Sequence, residues 1–180
     1  MPEYVAFLRA INVGGHIVKM DALRRLFEGL DFANVETFIA SGNVRFAAPA
    51  ADRPALEAQM EAQLEASLGY PVATFLRTPA EVAGIAAYRP FAPAELEAAG
   101  NRLYVALLAE PPAGDRVAAL LAYRSEVDDL HVHGREVYWL YRRPLGASRF
   151  SAALLEKALG RAATVRNMNT IRRLAAKGGK

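Results

Sequence analysis

Apolar positions follow two alternating patterns along the chain, short continuous runs typical of buried strands and helical spacings of three to four residues. Tyr4–Ala10 is the first run, and Met20, Leu23, Phe27 and Leu30 then recur at helical spacing. Up to residue 77 the patterns predict the following elements in order: a strand at Tyr4–Ala10, a helix from Met20, strands at Val35–Ala40 and Val44–Ala47, a helix after Asp52, and a strand at Val72–Arg77. This order is β-α-β-β-α-β.

The same order starts again after residue 101, where Tyr104–Leu108 echoes Tyr4–Leu8 one hundred residues later. The predicted elements are a strand at Tyr104–Leu108, a helix at about Asp115–Tyr123, strands at Val127–His133 and Glu136–Tyr141 around a Gly134-Arg135 turn, a helix capped by Ser148 or Ser151, a strand at Ala163–Arg166 and a helix at Asn167–Ala176. A β-α-β-β-α-β unit folds as a four-stranded antiparallel sheet with two helices on one face. We therefore predict an α+β protein, a tandem duplication of ferredoxin-like (split β-α-β) plaits with extra helices.

We predict a first domain over residues 1–88, including an added helix at 79–88, and a second over residues 102–180. A Pro/Ala-rich connector spans residues 89–101. The runs Tyr4–Leu8 and Leu103–Leu108 do not alternate polar and apolar positions, so we expect both faces of each sheet to be covered.

The second predicted helix has sharp boundary signals. Asp52 is the expected N-cap and Gly69 the expected end. Glu57, Glu61 and Glu65 form a stripe beside its apolar face, and we expect this stripe to be solvated.

Composition then excludes several classes of protein. With 53% hydrophobic residues the chain is not disordered, and with no cysteine it has neither disulfides nor a thiol nucleophile. No apolar run approaches the ~20 residues of a membrane helix, and Tyr4–Leu8 is too short for a signal peptide. We expect a cytoplasmic globular protein with no membrane association.

Charge is placed unevenly, although the net charge is only +3. Residues 1–90 carry 8 basic and 10 acidic side chains, whereas Arg142–Lys180 carries 10 basic side chains and one acid, Glu156. A basic segment of this kind attracts polyanions, nucleotides or acidic surfaces of the same molecule. The alternative is a compositional bias toward arginine, with most of these side chains solvated or paired.

Polar and glycine residues gather after the first strand and in the following hairpin. The first two strands of a plait run in the same direction, so the two turns share one end of the sheet. A glycine-rich turn before a helix can direct backbone N–H groups at an anion. The predicted ligand-binding residues are Arg9, Asn12, Gly14, Gly15, Lys19, Ser41 and Asn43. The alternative is that Gly14-Gly15 only turns the chain and Arg9 pairs with an acid.

Short motifs in these turns and further along the chain resemble those of DUF1697, a bacterial family known as a domain of unknown function. They are Phe7-Leu8-Arg9-Ala10-Ile11-Asn12-Val13-Gly14-Gly15, Lys19-Met20, Ser41-Gly42-Asn43-Val44, Arg77-Thr78, Ser148-Arg149-Phe150 and Arg166-Asn167-Met168-Asn169-Thr170. The family usually has glycine at the position of Ala10, lysine at Arg149 and tryptophan at Met168. The resemblance implies two plait-like domains and no particular activity.

A second basic cluster is predicted in the other half, from Arg149, Arg166, Asn167 and Asn169. The loop after the third strand of that half and the end of its last strand share one end of the sheet. Gathered cations repel unless an anion or an acid lies between them. Domain packing would either bring this cluster to the Gly14-Gly15 turn or leave two separate anion sites; as an alternative, Asn167 or Asn169 caps the last helix.

Other constellations are weaker. His131 and His133 share a strand face but have only Asp128 or Asp129 as a nearby third ligand, so no metal site is predicted. No Gly-x-Ser-x-Gly motif supports a serine nucleophile. Tyr138 and Trp139 point to opposite faces of their strand, which favours packing over base stacking.

Three functions remain open, and the sequence assigns neither a reaction nor a cofactor. The first is binding of a small phosphorylated or carboxylated ligand at the Gly14-Gly15 turn. The second is nucleic-acid binding through the basic C-terminal segment, although the aromatic pattern of an RNA-recognition sheet is missing. The third is a structural or oligomeric interaction role.

Overall fold

The computed structural model describes residues 1–11, 17–39 and 42–178, and this part of the chain forms an α+β protein with two four-stranded antiparallel sheets and seven α-helices. The elements up to residue 77 are β1 (Glu3–Leu8), α1 (Met20–Glu28), β2 (Ala33–Phe38), β3 (Asn43–Ala47), α2 (Arg53–Leu68) and β4 (Thr74–Arg77). They are followed by α3 (Pro79–Ala87), α4 (Pro93–Glu97), β5 (Asn101–Leu107), α5 (Gly114–Leu121), β6 (Asp128–His133), β7 (Glu136–Arg142), a 3-10 turn (Arg143–Leu145), α6 (Ala152–Leu159), β8 (Thr164–Asn167) and α7 (Met168–Gly178).

The strands run in the order β2-β3-β1-β4 in one sheet and β6-β7-β5-β8 in the other. The chain divides into two compact units, Met1–Ala83 and Gly84–Lys177, with Gly178 grouped with the first. This division falls inside α3, and the predicted connector at 89–101 contains the short helix α4.

The first unit packs α1 and α2 on one face of its sheet. Its core there includes Leu23 and Phe27 of α1, Leu56 and Met60 of α2, and Phe46 of β3. The opposite face is also covered, because four consecutive β1 residues are buried, Val5–Leu8. The second unit repeats this pattern, with Val105–Leu108 buried in succession. The expectation that both faces are covered is therefore confirmed on both central strands.

The predicted helix ends of α2 are confirmed. The Asp52 carboxylate accepts the N–H of Ala55 at 3.3 Å, and Gly69 ends the helix with a φ of +83°. In the second unit Ser151, and not Ser148, caps α6, because its hydroxyl accepts the N–H of Leu154.

The solvated stripe predicted on α2 is wrong for two of its three glutamates. Glu57 is buried and accepts the N–H of Leu76 at 3.1 Å, and Glu61 accepts the N–H of Thr74 at 2.8 Å. Both donors belong to β4, an edge strand. Four helical residues rise about 6 Å and two strand residues about 6.6 Å, so carboxylates four apart on α2 match alternate N–H groups of β4. Only Glu65 is exposed, as predicted.

None of the helices in the described part of the chain is both long enough and apolar enough to cross a membrane.

Candidate functional site

The described ends of the two turns in the first unit lie together. Phe7 pairs with Asn43 across β1 and β3, and the N–H of Leu8 donates to the Gly42 carbonyl at 2.9 Å. Gly42 has a φ of +82°, and a Cβ built on it would lie 3.1 Å from the Cβ of Ile11. The turn after β1 and the turn before β3 therefore leave the sheet at the same end.

The structure describes three of the seven residues predicted for this site. Arg9 and Lys19 are exposed; the backbone N–H of Arg9 donates to the Ala73 carbonyl, and Lys19 immediately precedes α1. Asn43 is fully buried, and its Nδ2 donates to the Phe38 carbonyl at 2.9 Å, so this side chain closes the β2–β3 turn. The other four lie outside the described residues: Asn12, Gly14, Gly15 and Ser41.

Backbone strain marks the approach to both turns. Ala10 has a φ of +60° and Ile39 a φ of +59°. The left-handed region is unfavourable for a residue with a Cβ, and a β-branched residue such as Ile39 is a clear outlier there. Strained residues of this kind cluster at functional sites, where the surrounding structure holds them in place.

The second predicted cluster is divided between two places. Arg149 is exposed and lines a cavity beside Asp128, at the start of the edge strand β6. Arg166 is buried on β8, the opposite edge strand, where it pairs in register with Val105. Asn167 and Asn169 lie at the junction of β8 and α7.

Burial lowers the pKa of Arg166 to about 10, because removal from water disfavours the charged guanidinium. The guanidinium donates to the Thr164 hydroxyl at 2.6 Å and to the Val165 carbonyl at 3.0 Å. These contacts hold the cation inside the second unit. Arg77 of the first unit is buried in the same register, opposite Val5 of β1, and donates to the preceding carbonyl, that of Leu76.

Asn167 has the capping role that sequence reasoning offered as an alternative. Its Oδ1 accepts the N–H of Asn169 at 2.9 Å, just where α7 begins. The two asparagines also line a polar cavity with Arg102 and Arg172, two arginines that the sequence did not single out. About seventy residues separate Arg102 from α7, so no local sequence pattern indicates that these side chains lie together.

Comparison with known proteins places the chain in a family. A family model described as "Protein of unknown function (DUF1697)" matches residues 1–138. The chain belongs to the DUF1697 family. No curated protein matches it. Among solved structures, the conserved bacterial protein SP0830 from Streptococcus pneumoniae is similar over 100% of this chain and 99% of its own, with 20% identity and a TM-score of 0.74, a likeness that concerns the fold alone.

In this DUF1697 chain, Ser148 of the Ser148-Arg149-Phe150 string anchors a loop. Its hydroxyl donates to the carboxylate of Asp128 at 2.7 Å, and the Trp139 Nε1–H donates to the same carboxylate at 2.8 Å. Asp128 is 1% exposed. The sequence named it only as a possible metal ligand, because nothing in the local pattern pairs it with a serine twenty residues later.

The histidine pair of this DUF1697 protein has packing partners. The Nε2 of His131 lies 2.8 Å from the Tyr88 hydroxyl, and His133 stacks on the Tyr88 ring with centroids 4.3 Å apart. Tyr138 is buried against the same ring, which confirms its predicted packing role. Asp129 is engaged by Arg142 at 3.2 Å.

Proposed function

We propose that this protein binds a small phosphorylated or carboxylated ligand at the turn end of its first unit, through Arg9, Lys19 and the Gly14-Gly15 turn. One observation carries the proposal: Gly42 packs against Leu8 and Ile11, so two polar turns leave the sheet side by side. A ligand at this end would be within reach of both.

We also propose that the fold is a tandem duplication of ferredoxin-like plaits. Both units have the element order β-α-β-β-α-β, and their strand orders correspond, β2-β3-β1-β4 with β6-β7-β5-β8. In this fold the loops at one end of the sheet vary freely while the scaffold stays rigid, which makes them suitable for binding. The buried arginines Arg77 and Arg166, in matching register, support the duplication.

The chemistry of the described residues suits an anion. Arg9 and Lys19 bring two positive charges to this end, and both are exposed to solvent. A guanidinium forms paired charged hydrogen bonds with carboxylate or phosphate oxygens, and an ammonium adds a point charge. The glycine pair would supply backbone N–H donors in the manner of an anion-binding nest.

The described sheet favours a small ligand over RNA. RNA-recognition sheets stack bases on exposed aromatic side chains of their central strands. Here Phe7 of β1 and Phe46 of β3 are both buried, and Tyr4 stacks on Phe46 with centroids 5.7 Å apart.

Thermal unfolding of the full chain with pyrophosphate, ribose 5-phosphate or citrate tests this function. A ligand at about 100 times its Kd adds about 2.7 kcal/mol of stability, a rise in Tm of about 5–10 °C for a chain of this size. We expect Arg9→Ala and Lys19→Ala each to reduce this rise, because each removes a charge from the site.

Arg25→Ala is the matched control, since Arg25 is an exposed arginine on α1 with no ion pair among the described residues. The function is contradicted if none of these anions raises Tm at constant ionic strength, or if Arg25→Ala reduces the rise as much as Lys19→Ala does. Retention on single-stranded RNA that weakens steeply with salt would favour nucleic-acid binding instead.

A further inference from the structure

A polar cavity of about 380 Å³ lies in the second unit where β5 extends past the end of β8. All of β5 from Asn101 to Leu107 pairs with β7, but only Tyr104–Leu107 pairs with β8. The chain leaves β8 at Asn167 and begins α7 at Met168, so the first residues of β5 face the start of α7 across an open space. This volume lies within the range of small-molecule sites.

The asparagine side chains around this cavity take part in hydrogen bonds within the protein. The Nδ2 of Asn101 donates to the Glu95 carbonyl at 2.9 Å, and the Oδ1 of Asn167 accepts the N–H of Asn169. The amide group of Asn167 keeps its NH₂ donor available, because no hydrogen bond in the described part of the chain uses it. Asn169 accepts a weak contact from Arg172 at 3.4 Å through its side-chain oxygen.

Positive charge in the cavity is not balanced by a carboxylate. Arg102 donates only to the Asn101 carbonyl, at 3.2 Å, and neither Arg102 nor Arg172 forms an ion pair with any residue that the structure describes. Partial burial and the nearby charge of Arg89 both lower the pKa of Arg172. Glu95 is close to Asn101, but its carboxylate is committed to the Arg142 guanidinium at 3.0 Å.

We propose that this cavity binds the phosphate group of a small phosphomonoester, with Arg102 and Arg172 as its cationic ligands. Two guanidiniums suit the dianionic group and its three terminal oxygens, since each can present a fork of N–H donors. The carboxamides of Asn101, Asn167 and Asn169 provide donors and acceptors for the hydroxyl groups of the attached molecule. This site is separate from the turn site of the first unit and does not depend on it.

A phosphomonoester fits this cavity better than a polymer does. A phosphodiester has two terminal oxygens and one charge, and nucleic acid needs an extended basic track with stacking surfaces. The cavity instead offers a compact pair of cations, and the side chains that line it are asparagine, arginine, leucine and methionine.

The test is a titration of ¹⁵N-labelled full-length protein with ribose 5-phosphate, followed by NMR, with ribose as the unphosphorylated control. We expect the side-chain NH₂ signals of Asn101, Asn167 and Asn169 to shift with ribose 5-phosphate and not with ribose. Arg102→Gln and Arg172→Gln should each raise Kd at least about tenfold, the effect of losing about 1.4 kcal/mol. Arg149→Gln should leave Kd unchanged, because Arg149 is an exposed arginine in the loop before α6, beside β6 at the opposite edge of the sheet.

The other possible results of this titration each overturn or support the proposal. The proposal is overturned if the three asparagine signals stay in place at millimolar ligand, if Arg149→Gln weakens binding as much as Arg172→Gln, or if only an RNA oligonucleotide moves these signals. It is also overturned if Arg9→Ala abolishes all binding of ribose 5-phosphate, because the ligand would then bind at the turn site alone and the proposed function of the first unit would stand. Loss of binding in Arg102→Gln and Arg172→Gln, with Arg9→Ala still binding at the cavity, supports it.

Discussion

At the scale of single residues, positions with unusual backbone conformation or unusual burial separate this chain from a generic α+β protein. Ala10 and Ile39, which precede the two candidate turns, have left-handed φ values, and Arg166 is buried on a strand. Periodicity does not show such features, since it reports which face a side chain occupies and not its φ angle or its partner. The resemblance to DUF1697 did contain one signal, because the family usually has glycine at the position of Ala10.

The Ala10 backbone gives a direct stability prediction. We expect Ala10→Gly to raise the free energy of unfolding by about 0.5–1 kcal/mol, because glycine adopts a φ of +60° without the Cβ penalty. Ala98→Gly is the matched control; Ala98 is exposed with a φ of −61°, so the same change should lower stability by up to about 1 kcal/mol. Urea unfolding measures both, and a loss of stability in Ala10→Gly contradicts this account of the turn.

The buried guanidinium gives a second prediction. Thr164→Val removes the hydroxyl that accepts from Arg166 at 2.6 Å, while it keeps the volume and the strand preference of the side chain. We expect a loss of about 1.5–3 kcal/mol, the range for hydrogen bonds to charged groups. Thr37→Val on β2, a half-buried threonine with no side-chain hydrogen bond in the described residues, should change stability by less than about 0.5 kcal/mol. Equal effects of the two substitutions would show that Arg166 does not need this acceptor.

At the scale of elements, most helices and strands could be predicted because the hydrophobic pattern and the caps agreed. Asp52 begins α2 and Gly69 ends it, as expected. The wrong predictions concerned contacts with residues far away in the sequence. The stripe on α2 looked solvated, because sequence alone does not show that β4 is an edge strand whose N–H groups need acceptors. Edge strands covered in this way are protected from pairing with other chains.

The glutamate stripe on α2 gives a third stability prediction. Glu57→Ala leaves the buried N–H of Leu76 without its acceptor and removes the ion pair with Arg53, so we expect a loss of about 1–3 kcal/mol. Glu65→Ala, two turns further along the same stripe, should change stability by less than about 0.5 kcal/mol. Chemical denaturation compares them, and similar losses at both positions would show that α2 does not hold the edge of the sheet.

At the scale of the whole molecule, two units repeat one order of elements and one order of strands. The repeat was visible in the sequence because Tyr104–Leu108 echoes Tyr4–Leu8. The second predicted cluster is divided, since Arg166 lies on one edge strand of the sheet and Arg149 lies beside the other, and Asn167 and Asn169 lie beside Arg102 and Arg172. Topology predicted which residues share an end of the sheet, but not which edge or face each side chain occupies.

The basic C-terminal segment has fewer available charges than its composition suggests. Arg142 is paired with Glu95 and Asp129, and Arg166 is buried. The exposed arginines and lysines of this segment contribute most to a field that steers anions, and salt screens that field over about 8 Å at physiological ionic strength. The proposed binding therefore depends on local sites and not on the overall charge.

Crystals of the full chain grown with a phosphomonoester test the central claim most directly. We expect density for the phosphate at the end of β1, in contact with the Arg9 guanidinium and the Lys19 ammonium, and loss of that density in crystals of Arg9→Ala. Density confined to other parts of the molecule, at a concentration that saturates binding in solution, would contradict the claim.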